Sequence, residues 1–202
     1  MAYRAPVSDI LFAMRHVAHL DAGIAEGIHA DLADGMAQSV LEEAAKFGEA
    51  VLAPLNRIGD LHGATLHDGV VATAPGWTGA YRQFVDGGWN SLTGPATQGG
   101  QELPHLLGAA CLDIWNGANM AFMLCPLLNF GAIDAVAAHG SDHLKAVYLP
   151  KMVSGEWTAT MNLTEPQAGS DLHCCAPRPS AAPMAATASR AAKSTSPMAS
   201  MT

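Results

Sequence analysis

Between Met161 and Asp171 the chain reads M-N-L-T-E-P-Q-A-G-S-D, where hydroxyl, amide and carboxylate side chains gather around one short stretch. Glu165, Pro166, Ala168, Gly169 and Ser170 have the composition of a tight polar turn. A strand ending in such a turn exposes backbone donors and hydroxyls that can hold a planar heterocycle or a carbonyl tail. The same pattern also serves as an ordinary strand-to-turn link, and spacing alone leaves both readings open. Just beyond, His173, Cys174 and Cys175 are ligand types, but no fourth ligand stands at a suitable spacing, so no metal is expected. The other histidines, His16, His19, His29, His62, His67, His105, His139 and His143, are scattered, and surface or capping roles suit them better than ligation.

The elements that must carry this stretch are mostly helical. Between Asp34 and Asp60, Leu41, Ala44, Ala45, Val51 and Leu52 recur at three- and four-residue steps, with Glu42, Glu43, Lys46 and Glu49 between them. That spacing predicts a one-sided helix closed near Pro54. Trp77, Tyr81, Phe84 and Val85 share a second helical face, interrupted by Gly87 and Gly88, with Trp89 just past the break and a Gly- and Thr-rich loop after it. The pattern returns from Glu102 through Leu103, Leu106, Leu107, Ala110, Cys111, Ile114 and Trp115, with Pro104 in the first turn. Two further helices follow, one through Ala138 and one from Ser141, its expected N-cap, to Met152 near Gly155. Trp157, Ala159, Met161 and Leu163 then alternate with Thr158, Thr160, Asn162 and Thr164, which predicts a strand with one buried face.

Composition narrows the function classes. A formal net charge of −8 argues against a nucleic-acid partner or an acidic membrane surface. Residues 118–138 are apolar over about the length of a membrane span. Asn119, Asn129 and Asp134 punctuate that run and Pro126 sits near its middle, so a buried helix, or two pieces broken near Pro126, is expected instead. The amino terminus lacks the basic start and unbroken apolar core of a secretory signal, which reads as cytoplasmic. Cys111 and Cys125 fall in apolar helical surroundings and read as core residues.

The stretch Y-L-P-K-M-V-S-G-E-W-T-A-T-M-N-L-T-E-P-Q-A-G-S-D-L, residues 148–172, closely resembles the signature of the FAD-dependent acyl-CoA dehydrogenase family. The opening M-A-Y-R-A-P-V-S-D-I-L-F-A-M-R-H-V resembles the extra amino-terminal segment of the larger branch, which includes methylmercaptopropionyl-CoA dehydrogenases. The resemblance covers about residues 1–172. It implies a mostly α chain: an extension over 1–33, the amino-terminal helical domain over 34–155, and the first strand of a truncated β-domain over 156–172. It also implies FAD as cofactor, held by Met161, Asn162, Leu163 and Thr164, and an acyl-CoA substrate whose thioester arm meets Ser170. The helices from Glu102 to Ala138 would line the acyl pocket, and electron-transfer flavoprotein would accept the electrons. In the family Glu165 is a turn residue, and the carboxylate that takes the α-proton comes from a carboxy-terminal helical domain absent from this sequence, so no catalytic residue is assigned. An inactive form is expected. The alternative is a non-catalytic helical protein that binds a partner or an acyl ligand, and the oligomeric state is left open.

Residues 173–202 have a different composition: no Asp, Glu, Gly, Leu, Ile, Val, Phe, Tyr or Trp, but much Ala, Ser, Pro, Thr and Met. Such a segment buries too little to offset the entropy of ordering it, so a disordered tail is expected. Reading the third base of each codon with the first two of the next tests a frame change. Met184 with Ala185 and Met198 with Ala199 must then give Gly, and Met201 with Thr202 must give Asp, because Met has a single codon. Suitable codons turn His173 to Pro177 into Leu-Leu-Arg-Thr, as the family would continue. A one-base shift after Leu172 is therefore expected, and the His-Cys-Cys run becomes its by-product.

Overall fold

The structure, a computed structural model, describes residues 2–160, 162, 164 and 169–171. Residues up to Thr160 form one compact unit, and Met161–Met198 belong to a second. Seven helices build the first: α1 Val7–His16, α2 Leu20–Ala25, α3 Met36–Phe47, α4 Ala53–His62, α5 Trp77–Asp86, α6 His105–His139 and α7 Asp142–Val153. A small antiparallel hairpin, β1 Thr65–His67 with β2 Val70–Ala72, lies between α4 and α5 and pairs Leu66 with Val71.

Helix α3 forms where the sequence predicts it, burying Ala37, Leu41, Ala44 and Ala45 while Glu42, Glu43 and Lys46 face water. The helix does not close near Pro54. The chain passes through a π-helical turn, Gly48–Leu52, and continues as α4, with Pro54 in its first turn. Proline there lacks only an N–H that a new helix start leaves unpaired anyway, so the wider turn lets the axis run on past it. Gly48 also permits close approach of α6, since a Cβ at that position would lie 3.3 Å from Ile114 Cγ2.

Helix α6 forms the centre of the unit, packing against α3, α4, α7 and the π turn. Its inner face supplies Leu107, Cys111, Ile114, Trp115, Phe122 and Met123 to a core shared with Leu41, Leu52 and Phe84. Trp115 is the largest fully buried side chain: its ring lies 5.2 Å from that of Phe84 and 5.1 Å from that of Trp89. Its indole N–H donates to the Ala44 carbonyl at 3.1 Å, so the only polar atom of the side chain is matched. Met14, Leu20 and Leu32 from the first 33 residues enter the same core.

The expected break near Pro126 falls instead at Asn119, the one residue inside α6 with non-helical dihedrals, φ −160° and ψ 84°. Pro126 stays within the helix and is buried. By length and composition α6 could cross a membrane. Its Asn119 and Asn129 are, however, fully buried and hydrogen-bonded within the unit, as a core helix requires. Helix α7 begins as predicted, with the Ser141 hydroxyl accepting from the Leu144 amide at 3.4 Å.

The strand expected from Trp157 to Thr164 is not formed among the described residues. Residues 158–160, 162 and 164 carry no regular structure. Alternation sets which side chains share a face, but a strand exists only where a neighbour completes its ladder, and none of the described residues pairs with these. Met161, Leu163, Glu165, Pro166, Ala168 and the whole segment 173–202, with Cys174 and Cys175, lie outside the described residues.

Candidate site at the exit of the helical unit

Of the residues expected to meet a flavin, Asn162 and Thr164 are described and exposed. Met161 and Leu163 lie outside the described residues. Ser170 is exposed within a bend, beside Asp171. The side-chain amide of Asn162 and the hydroxyls of Thr164 and Ser170 can each donate and accept hydrogen bonds. That donor set suits the carbonyl and ring-nitrogen edge of a flavin and the carbonyl of a thioester.

The chain reaches these residues through Gly155–Thr160, a segment with no regular structure yet held at nearly every step. Helix α7 ends on Gly155, whose φ of +76° closes the last turn with its amide donating to the Met152 carbonyl at 3.2 Å. The Tyr81 hydroxyl, brought from α5, donates to the Gly155 carbonyl at 3.1 Å. The Trp157 amide donates to the Lys151 carbonyl at 3.0 Å, and the Lys151 ammonium sits 4.3 Å from the Trp157 ring centroid. Thr158 hydrogen-bonds the Cys125 side chain, and Ala159 donates its amide to Asn129 Oδ1 at 3.1 Å.

Burial sets the electrostatics of this corner. It pushes the Tyr81 phenol up to about 12, with the neighbouring Cys125 adding to the effect. It also raises the Cys125 thiol, which the bond with Thr158 partly offsets. Both groups therefore stay protonated at neutral pH and act as neutral hydrogen-bonding groups.

Outside the core, α6 and α7 present apolar side chains to solvent: Met120, Leu124 and Leu127 from α6, and Leu144, Val147 and Tyr148 from α7. Leu124 and Leu127 belong to the stretch expected to line an acyl pocket. A cavity of about 530 Å³ is lined elsewhere, by Ser39, Val40, Glu43, Lys46 and Phe47 of α3 and by Gly87, Trp89, Leu92, Gln101 and Leu103. It takes no residue from α6, and Leu103 alone belongs to the stretch expected to line the acyl pocket. Among the described residues no three His, Cys, Asp or Glu side chains gather as a metal site would require.

Sequence reasoning missed the residues that hold the exit. Asn90 and Asn129 stand in apolar surroundings, and a buried amide needs partners, which was the available signal. It also missed the hairpin, although Asp68-Gly69 between T-L-H and V-V-A is a strong short-range turn signal.

Residues 36–156 match the family model for the acyl-CoA dehydrogenase N-terminal domain. The chain is 49% identical over 172 residues to a 3-methylmercaptopropionyl-CoA dehydrogenase of Ruegeria pomeroyi, covering 85% of this chain and 29% of that protein. It is 33% identical over 125 residues to a butyryl-CoA dehydrogenase of Syntrophomonas wolfei, covering 60% of this chain and 20% of that one. A solved structure described as the FAD complex of PigA shares the fold, with a TM-score of 0.57 at 21% identity over 70% of this chain and 35% of that one. The chain thus spans less than a third of either of these curated relatives.

Proposed function

From the premise that the chain belongs to the acyl-CoA dehydrogenase family through its amino-terminal domain, we propose that it forms one wall of an FAD-dependent site for α,β-dehydrogenation of an acyl-CoA thioester. The observation that carries this reading is the 49% identity to a 3-methylmercaptopropionyl-CoA dehydrogenase over 85% of the chain. Met161, Asn162, Leu163 and Thr164 would hold the isoalloxazine edge, and Ser170 the thioester arm. The flavin, when bound, supplies the acceptor for the β-hydride. Thr164 contributes a hydroxyl that donates to or accepts from the ring edge, and Asn162 an amide able to do both. The α-proton needs a carboxylate base, and no residue of this chain is assigned that role. Electron-transfer flavoprotein is proposed as the electron acceptor, and the cytoplasm as the location.

Residues 173–202 are read as out of frame. The match to a relative over 85% of the chain, which leaves a remainder of about this size, supports this reading. Resequencing the coding region tests it, since a repeatable read that offers no family-like continuation in any frame would remove the idea.

Titration of the chain with FAD, followed by quenching of flavin fluorescence, tests the site. Binding that weakens several-fold in Thr164→Val is the expected result. Equal affinity of the two proteins would remove Thr164 from the flavin edge, and no binding by either would count against the wall as a flavin site.

A further inference from the structure

Helix α6 is broken at Asn119, although Asn116 and Asn129 in the same helix keep helical dihedrals, so residue type alone does not force the break. Its surroundings do. The Asn119 side-chain amide donates to the carbonyl of Leu52, the last residue of the π turn. The turn of α6 just before the break, from Ile114 to Gly117, is met by the amino-terminal segment.

The Tyr3 hydroxyl donates to the Ile114 carbonyl at 2.7 Å. Gly117 makes room for the ring, since a Cβ there would lie 2.9 Å from Tyr3 Oη and 3.2 Å from its Cε2. A glycine inside a helix costs about 1 kcal/mol relative to alanine, so position 117 gives up helix stability where it admits the ring. Burial, with Asp113 and Glu49 adding to it, raises the Tyr3 phenol above its ordinary value, and the hydroxyl keeps the proton it donates. Two residues on, the Ala5 amide donates to Glu49 Oε1, in the π turn, at 2.9 Å. The π turn abuts the same stretch of α6: a Cβ at Gly48 would lie 3.3 Å from Ile114 Cγ2 and 3.6 Å from Ala118 Cβ. Residues 3–5 therefore bridge two irregular backbones, Tyr3 on α6 and Ala5 on the π turn, and the bond from Asn119 to Leu52 closes the loop.

We propose that residues 3–5 are a strap that holds α6 in its broken form: Tyr3 on Ile114 and Ala5 on Glu49 keep the π turn against the turn of α6 before Asn119, and so keep the Leu52 carbonyl where the Asn119 amide meets it. The strap lies outside residues 36–156, which carry the family-model match, so it is an addition to the shared domain. It fixes how the second half of α6 leaves the first, and that half presents Met120, Leu124 and Leu127 outward. The bearing of that face on an acyl chain rests on the functional reading above, whereas the strap does not.

Residue-resolved amide hydrogen exchange on the whole chain tests the strap without any ligand. The reporter is the Phe122 amide, whose partner is Asn119 Oδ1 and not the strap itself. Tyr3→Ala is expected to speed its exchange roughly tenfold, the effect of losing about one hydrogen bond, with far smaller changes in α5. Arg4→Ala, which removes only an exposed ion pair, should leave Phe122 within about twofold of wild type. A rise in Tyr3→Ala confined to residues 2–17, or spread evenly over α3 to α7, overturns the proposal. So does a rise in Arg4→Ala as large as that in Tyr3→Ala, because any disturbance of the segment would then reach the break.

Gly117→Ala supplies an arm of opposite sign. By propensity alone it steadies the helix and slows exchange, but its Cβ obstructs the Tyr3 ring. The strap requires exchange at Phe122 to quicken in this variant, and slower or unchanged exchange overturns it. Should Tyr3→Ala not fold, Tyr3→Phe replaces it, keeping the ring and losing only the hydroxyl; an unchanged Phe122 rate there overturns the proposal. None of these outcomes depends on flavin or acyl-CoA binding, so a failure of the functional reading leaves the strap to be decided by exchange alone.

Discussion

Asn119 in the middle of α6 donates its side-chain amide to the Leu52 carbonyl at 3.2 Å, where the π turn hands over to α4. Its Oδ1 accepts the Phe122 amide at 3.1 Å, so Asn119 caps the second half of α6 as an N-cap would. Two irregular backbones thus meet at one side chain, whose NH₂ donates to the first and whose oxygen accepts from the second. Asn119→Ala removes both bonds inside a dry core. The expected loss is about 2–4 kcal/mol, the sum of a cap and a stranded buried carbonyl, read as a lowered midpoint in urea denaturation. A shift equivalent to less than about 0.5 kcal/mol would mean that the two irregularities are independent.

The amino-terminal segment gives a case where magnitude separates two bonds to one carboxylate. Glu49, in the π turn, pairs with Arg4 at 3.4 Å and accepts the Ala5 amide at 2.9 Å. The Arg4 side chain is 86% exposed, so its ion pair contributes little in water. The half-buried backbone bond, together with the Tyr3 hydroxyl donating to the Ile114 carbonyl at 2.7 Å, carries the attachment. Arg4→Ala should therefore change stability by less than about 0.5 kcal/mol, and Glu49→Ala by about 1–1.5 kcal/mol. Limited proteolysis near residues 3–6 should quicken only in the second variant.

Alkaline pH should weaken the helical unit in a defined window. Burial pushes the Cys111 thiol up to about 12 from an ordinary 9, and the Tyr81 phenol up to about 12 from 10. Each folded group holds its proton more tightly than the unfolded one, so the stability it contributes is complete below the unfolded value and is lost as pH rises toward 12. The fall starts near 9 with Cys111 and steepens above 10 with Tyr81. Its size is at most a few kcal/mol, on the order of 1.4 kcal/mol for each unit of difference. Denaturation at pH 8 and pH 11 measures it, and Cys111→Ala should flatten the early part of the fall.

The helices were legible because each carries its period over several turns. Leu41, Ala44 and Ala45 announce α3, and Leu107, Cys111, Ile114 and Trp115 announce the first half of α6. What periodicity cannot show is how neighbouring helices dispose of irregular backbone. Pro54 and Pro126 read as stops because proline lacks a donor, yet both lie in helix, while the real break is an asparagine whose partners come from Leu52 and Phe122. The flavin-edge residues were legible only through resemblance. Their alternation promised a strand, and a strand needs a neighbour to complete its ladder, which none of the described residues provides. Asn129 was visible as punctuation in an apolar run, and only the fold shows that it meets Ala159 thirty positions on.

Gly155 supplies the last test, because two separate costs meet at one position. Its φ of +76° is a conformation that side chains with a Cβ disfavour by about 1 kcal/mol. A Cβ there would also lie 2.5 Å from Val85 Cγ2 and 3.3 Å from Asn90 Nδ2, so α5 or the Asn90 side chain would have to move. Gly155→Ala should therefore cost more than the backbone term alone, about 2–4 kcal/mol in all. Val85→Ala removes the nearer atom, at its own cost in lost packing. In a double-mutant cycle the pair should show a favourable coupling of about 1 kcal/mol, leaving the backbone term unrelieved. Zero coupling would mean that Gly155 is required for its dihedral alone and that the approach to Val85 relaxes freely. A coupling equal to the whole loss would mean that the left-handed turn itself is no obstacle to alanine.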